Sequence, residues 1–207
     1  MPLNIVGLMK DLARDRPIFH SEADFQHALA WHIHEAIPDC QVRLEFEPSL
    51  AGKRMYLDIW LPSIGVAIEL KYRTQRLVLR TAAGESFGLR NQIAQGGGRY
   101  HFIKDIQRIE QVVTDGPAKT GFTVLLTNDP SYWEPSQRTT LDDEFRLHEG
   151  RKIEGNMEWA DRTRPGPRSV GEKPLCLKGS YDCVWRDYSS LGEGKFRKFR
   201  YLMVKVP

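Results

Sequence analysis

Three charged residues, Asp58, Glu69 and Lys71, interrupt the apolar segment YLDIWLPSIGVAIELKYR (residues 56–73) where a buried strand would carry valine or leucine. Pro62 and Gly65 mark a tight turn, so residues 54–61 and 65–73 are expected to form a hairpin. Side chains alternate between the faces of a strand. Pairing position 61 with 66 and 59 with 68 gathers Met55, Leu57, Ile59 and Leu61 with Val66, Ile68, Leu70 and Tyr72 on one aliphatic face. The other face then carries Asp58 directly across from Glu69, with Lys71 next along and Trp60 beside them. Cross-strand partners have Cβ atoms about 4.5–5.5 Å apart, where two like charges repel. A hard divalent cation removes the conflict, because Mg²⁺ takes a few carboxylate oxygens and keeps several waters. Carboxylates, such an ion and a lysine side by side can bind a phosphodiester, activate a water and stabilise the charge that develops on phosphorus. Spacing alone leaves open a solvated sheet face on which Lys71 pairs with one of the acids.

The elements that must position these residues are legible in outline. Ser21 is an N-cap with Asp24 three residues on, and Pro38 is a stop, which predicts a helix over 22–36 with Phe25, Leu29, Ile33 and Ala36 as its apolar stripe. Glu22 lies at the edge of that stripe, one turn before Gln26. Residues 41–48 alternate as a strand and SLAGK (49–53) reads as a turn. Residues 74–98 read as a polar loop region, with an irregular strand at RLVLR, that ends in GGG (96–98). That glycine run is either a hinge or a phosphate-cradling loop ahead of the next helix. Phe102, Ile103, Ile106, Ile109 and Val113 predict a helix over 99–113, with Lys104 and Arg108 four apart on one side and Asp105 and Glu110 as their surface partners. GFTVLLTND (121–129) is a continuous apolar run, as expected of a central strand covered on both faces. Residues 130–178 carry no clear pattern, and SYDCVWRDYS and KFRKFRYLMVKV read as two closing strands. The order α-β-β-β-α-β followed by a β-rich tail predicts an α/β fold with a mixed sheet flanked by helices.

The chain has 207 residues, 41% hydrophobic and 28% charged, as expected of one globular domain. No apolar run approaches the roughly 18–20 residues that span a bilayer, and the start MPLNIVGLMKDLARDRP lacks a secretory pattern, so a cytoplasmic location with no membrane partner is expected. Cys40, Cys176 and Cys183 are widely spaced with no C-x-x-C pair, which argues against a disulfide framework or zinc knuckle. The net charge of +3 demands no particular partner, but arginines crowd behind the hairpin, at 73, 76, 80, 90 and 99. The six histidines form no ligand set.

With LD at 57–58, ELK at 69–71 and SEADFQ at 21–26 on the preceding helix, the sequence resembles the PD-(D/E)xK nuclease superfamily of restriction-endonuclease-like fold. The resemblance covers residues 20–128 as a nuclease-like core and leaves 129–207 as an extension packed on, or extending, the same sheet. It implies Mg²⁺, replaceable by Mn²⁺, held by Asp58, Glu69 and the backbone carbonyl of Leu70, with Glu22 as a further carboxylate and Lys71 orienting or activating the attacking water. Nucleic acid, DNA in preference to RNA, would be cut to 5′-phosphates, with Gln26, Arg73, Arg76, Arg99, Lys104 and Arg108 as candidate contacts and a homodimer left open. Leu57 stands where the family's motif has proline, a departure that weakens the match more than the chemistry. A catalytically silent nuclease-like binding module, or a metal-dependent enzyme on a small phosphorylated ligand, are the alternatives.

Overall fold

A computed structural model describes residues 3–50, 54–81, 84–160 and 173–207. Two helices open the chain, each begun by a side chain that satisfies a free backbone donor. In α1 (Ile5–Asp15) Asn4 accepts from the Gly7 N–H, and Ile5, Leu8, Met9 and Leu12 form a buried stripe at helical spacing. In α2 (Glu22–Ala36) Ser21 accepts from the Asp24 N–H, and Glu22 and Asp24 oppose the positive end of the helix dipole. Phe25, Leu29 and Ile33 are buried as expected, whereas Ala36 is exposed because the helix ends there, before Pro38.

A six-stranded mixed sheet follows, built from β1 (Arg43–Phe46), β2 (Leu57–Leu61), β3 (Val66–Arg73), β6 (Thr120–Thr127), β9 (Trp185–Ser190) and β10 (Lys198–Val206). Its order is β1-β2-β3-β6-β10-β9, with β3 and β6 parallel and every other pair antiparallel. Gly65, at a φ of 67°, turns the β2–β3 hairpin. The tail beyond residue 129 thus extends the same sheet. Between β3 and β6 run the hairpin β4 (Leu77–Arg80) and β5 (Ser86–Leu89) and then α3 (Gln95–Asp115). Two short 3₁₀ turns, Pro130–Tyr132 and Asp143–Phe145, lead to β7 (Lys152–Met157) and β8 (Leu175–Asp182), which pair with each other.

The first two helices cover one face of the sheet, over Ile59, Leu61, Val66, Ile68, Leu70, Tyr72, Phe122, Val124 and Leu126. Helix α3 covers the other, over Trp60, Ala67, Leu125, Leu202 and Val204. The β7–β8 hairpin then packs on α3's outer side through Ile153, Met157, Leu175 and Leu177. On this side α3 is therefore a middle layer, between sheet and hairpin, and not a surface helix.

Several expectations are corrected. Met55 and Leu57 join the α3 cluster instead of continuing the aliphatic face of Ile59 and Leu61. The strand expected at RLVLR is β4, but residues 74–98 also hold its unexpected partner β5 and the start of α3, and so are not a loop region. The glycines at 96–98 lie inside the first turn of α3, where a Cβ on Gly98 would overlap the Tyr132 hydroxyl and lie 3.1 Å from Arg73 Nε. Gly96, where a Cβ would lie 3.1 Å from Asp142 Cβ, and Gly98 serve close packing, while Gly97 faces open space. SYDCVWRDYS is split at Cys183, whose backbone N–H bonds the Arg151 carbonyl, so its first part ends β8 and its second begins β9. Residues 51–53 of the expected SLAGK turn lie outside the described residues. Among the described residues no helix is long and apolar enough to cross a membrane, and all three cysteines are free.

Candidate active site

The ladder between β2 and β3 runs from Leu61–Val66 through Trp60–Ala67 to Ile59–Ile68 and stops. Asp58 and Glu69 are therefore not a ladder pair as expected. The strands part at this point, and Asp58 Oδ2 accepts from the Leu70 N–H at 2.6 Å where a backbone carbonyl would otherwise stand. Two residues further on, Glu22 Oε2 at the start of α2 accepts from the Tyr72 N–H at 2.7 Å. Two carboxylates thus satisfy the N–H groups that a longer β2 would have paired. Gln26, one turn after Glu22, fixes the arrangement: its Nε2 donates to the Asp58 carbonyl and to Glu45 Oε1, both at 2.7 Å. Glu45, on β1, has a φ of 49°, an uncommon conformation for a residue with a side chain.

The other side of the site comes from α3. Lys71 Nζ lies 3.0 Å from Asp105 Oδ2, 3.0 Å from the Leu70 carbonyl oxygen and 3.9 Å from Glu22 Oε1. Arg108 bridges three groups: Glu69 Oε1 at 3.1 Å and Asp105 Oδ1 at 3.0 Å by ion pairing, and the Tyr56 carbonyl, to which it donates at 2.6 Å. Glu69 Oε1 and Asp105 Oδ2 are buried without an aligned hydrogen bond, so their partners neutralise charge without saturating the oxygens. Glu69 is only 2% exposed.

Four carboxylates and two cations in little water perturb one another. Burial pushes Glu22 up, opposed mainly by Lys71. Burial raises Asp58 as well, relieved by the Leu70 N–H, Lys71 and a hydrogen bond with Glu69. Glu69 is raised furthest from the usual carboxylate range, first by burial and then by Asp105 and Asp58, with Arg108 and Lys71 opposing. Burial alone would lower Lys71, but Asp105, Glu22 and Asp58 together raise it above its ordinary value. Lys71 is accordingly an ammonium at neutral pH. As an ammonium it can hydrogen-bond a water or a phosphate oxygen.

Glu22, Asp58, Glu69, Lys71 and the Leu70 carbonyl converge, and Gln26 supports Asp58 from a buried position instead of facing a nucleic acid. Arg99 and Arg108 differ from expectation. Arg99 is buried, ion-paired with Asp142, and donates to the Ser131 carbonyl, so it is closed to a phosphate backbone. Arg108 is committed to the carboxylates. Arg73 is half-buried beside Gly98, while Arg76 and Lys104 are exposed. Asp105 and Glu110 are buried rather than surface partners. Glu110 accepts from the Lys178 and Gly179 N–H groups and the Tyr181 hydroxyl, because β8 lies over that side of α3. Asp105 falls within the stripe formed by Phe102, Ile106 and Ile109, a position at which an acid signals a buried partner.

Among the described residues no three His, Cys, Asp or Glu side chains form a ready-made cage for a metal ion. No protein-family model, curated protein or solved structure matches the chain.

Proposed function

We propose that the chain is a divalent-cation-dependent nuclease with a restriction-endonuclease-like core, hydrolysing phosphodiester bonds of DNA in preference to RNA. The observation that carries this reading is the meeting of Asp58 and Glu22 on the Leu70 and Tyr72 N–H groups, with Glu69 beside Asp58 and the Lys71 ammonium alongside. The order α2-β1-β2-β3-α3-β6, interrupted by the β4–β5 hairpin before α3 and with β3 and β6 parallel, supports the family assignment. Asp58, Glu69 and the Leu70 carbonyl would hold Mg²⁺ or Mn²⁺, with Glu22 as an additional ligand. The donor set fits: all are hard oxygens, Glu69 Oε1 is buried without a hydrogen bond, and all three carboxylates are raised by burial with neighbouring negative charge adding to it. Mg²⁺ commonly takes one or two carboxylates and fills its shell with water and substrate phosphate, so a three-acid cage is not required. When bound, the ion would offset the carboxylate charge and stabilise the charge that builds on the phosphoryl oxygens.

The chain's own residues do the positioning. Gln26 and the Leu70 N–H fix Asp58, the Tyr72 N–H fixes Glu22, and Asp105 holds the Lys71 ammonium where it can hydrogen-bond an attacking water or a non-bridging oxygen. The test is incubation of supercoiled plasmid, single-stranded DNA and RNA with Mg²⁺, Mn²⁺ or chelator, for wild type, Asp58→Asn and Lys71→Met. Metal-dependent cleavage of DNA is expected, with each variant slower by about 100-fold or more. Equal behaviour of wild type and variants overturns the reading. One observation favours a second reading, a catalytically silent binding module: Arg108 already occupies Glu69. Binding without cleavage on any substrate would establish it.

A further inference from the structure

Beside the carboxylate cluster, separated from it by Arg108, lies a pocket of about 810 Å³ between the segment leading into β2, α3 and the start of β8. Its chemistry is uneven. Arg54, Lys104, Arg108 and Lys178 line it, against the acids Glu110 and Asp115. Both Glu110 oxygens are spent on backbone N–H groups and the Tyr181 hydroxyl. Lys104 and Lys178 are exposed and have no carboxylate partner among the described residues. Tyr56, 39% exposed, presents its ring at the same rim with the Arg54 guanidinium 5.6 Å from its centroid. Its backbone is pinned by Arg108, the residue that also touches Glu69.

Exposed lysines beside an exposed aromatic ring in a concave site are the elements of single-strand recognition: cations track the phosphates and a base stacks on the ring. The pocket lies in the volume range of small-ligand sites, the scale of one or two nucleotides and far below that of a duplex. We infer that this pocket seats an unpaired nucleotide flanking the scissile bond, its phosphates on Lys104 and Lys178 and its base on Tyr56, so that the substrate is DNA with a single-stranded segment at the cut. The inference deepens, and rests on, the nuclease reading for its orientation toward the carboxylates, while the pocket itself can be tested without cleavage.

Cys176 supplies the test, because it lines the pocket and is the exposed thiol, whereas Cys40 and Cys183 are buried. Maleimide labelling of Cys176 is followed in chelator, with a short single-stranded oligonucleotide or a blunt duplex of the same sequence at saturating concentration, alongside fluorescence anisotropy. Labelling several-fold slower with the single strand, and little changed with the duplex, is expected. Lys104→Glu combined with Lys178→Glu should weaken single-strand binding about tenfold and lower the salt slope by about 1.4, roughly 0.7 for each phosphate that is no longer neutralised. An unchanged labelling rate under saturating single strand, or equal protection by the duplex, overturns the inference. Cleavage without protection removes the pocket and leaves the nuclease; protection without cleavage removes the nuclease and leaves a strand-binding pocket.

Discussion

Ionised Glu69 lies almost wholly out of water with Asp58 and Asp105 near it, and Arg108 and Lys71 offset that charge only in part. A carboxyl whose folded pKa is raised binds its proton more tightly in the native state than in the unfolded chain. Its contribution is therefore full below the ordinary value of 4.5 and is lost as pH rises through the raised value. Glu22 and Asp58, also raised by burial, act in the same direction, so thermal stability without divalent ions is expected to fall as pH rises from about 4.5, and Glu69→Gln, which cannot ionise, should lessen that slope without abolishing it in melts taken across the range. Asp129 and Asp142, lowered by their hydrogen-bond donors, act below 3.8 and do not cover this window. Gln26 gives a second expectation: Gln26→Ala leaves the part-buried Asp58 carbonyl without its donor, costing about 1–3 kcal/mol in chemical denaturation, while the exposed Glu45 turns to water. Asp58, Glu69 and Lys71 are legible in the sequence because charges in an apolar strand stand out against a period of two. Asp105 is legible only as an acid within the apolar stripe of α3, and Arg108 is not, because the partners of both depend on elements distant in the chain.

At the scale of elements, the hairpin register is readable from its turn and its alternation, and the ladder from 59 to 61 follows it. What escapes that reading is where β2 stops pairing, since the replacement of a backbone carbonyl by the Asp58 side chain has no periodic signature. The β7–β8 hairpin is illegible for a related reason. β7, KIEGNM, does not alternate and its register shifts between Glu154 and Gly155, while β8, LCLKGSYD, alternates in burial but has glycine at one of its inward positions, which blunts the apolar signal. α3 approaches β6 closely at Gly121, where a Cβ would overlap Ile109 Cγ2 and lie 3.2 Å from the Ala67 carbonyl oxygen. Gly121→Ala is expected to push α3 outward, costing about 1–3 kcal/mol by overpacking. Because α3 carries Asp105 and Arg108, the same change should reduce cleavage more than its stability loss predicts, as read by activity of the folded fraction.

For the molecule as a whole, the 20–128 segment is not a free-standing unit. β6 is bonded on one side by β3 and on the other by β10, and Leu202, Val204 and Val206 fill the core under α3. A chain ending at residue 128 is expected to lose cooperative thermal unfolding in circular dichroism, since removing β10 uncovers both an edge and a core face. Mg²⁺ is expected to raise the melting temperature of wild type but not of Asp58→Asn, by an amount set by mass action: about 2.7 kcal/mol at a hundredfold excess over Kd.

The edge strand β9 reaches back across the sequence to hold the segment that leads into α2. The Tyr188 hydroxyl donates to the Arg16 carbonyl and the Ser189 hydroxyl to the Pro17 carbonyl, while Tyr72 donates to the Phe19 carbonyl. Arg16, Pro17 and Phe19 precede Glu22 by a few residues, so the position of that carboxylate is surveyed from a strand at the far end of the chain. Whatever moves β9, such as a lengthened 191–197 loop or a partner docking along that edge of the sheet, would retune Glu22 without touching it.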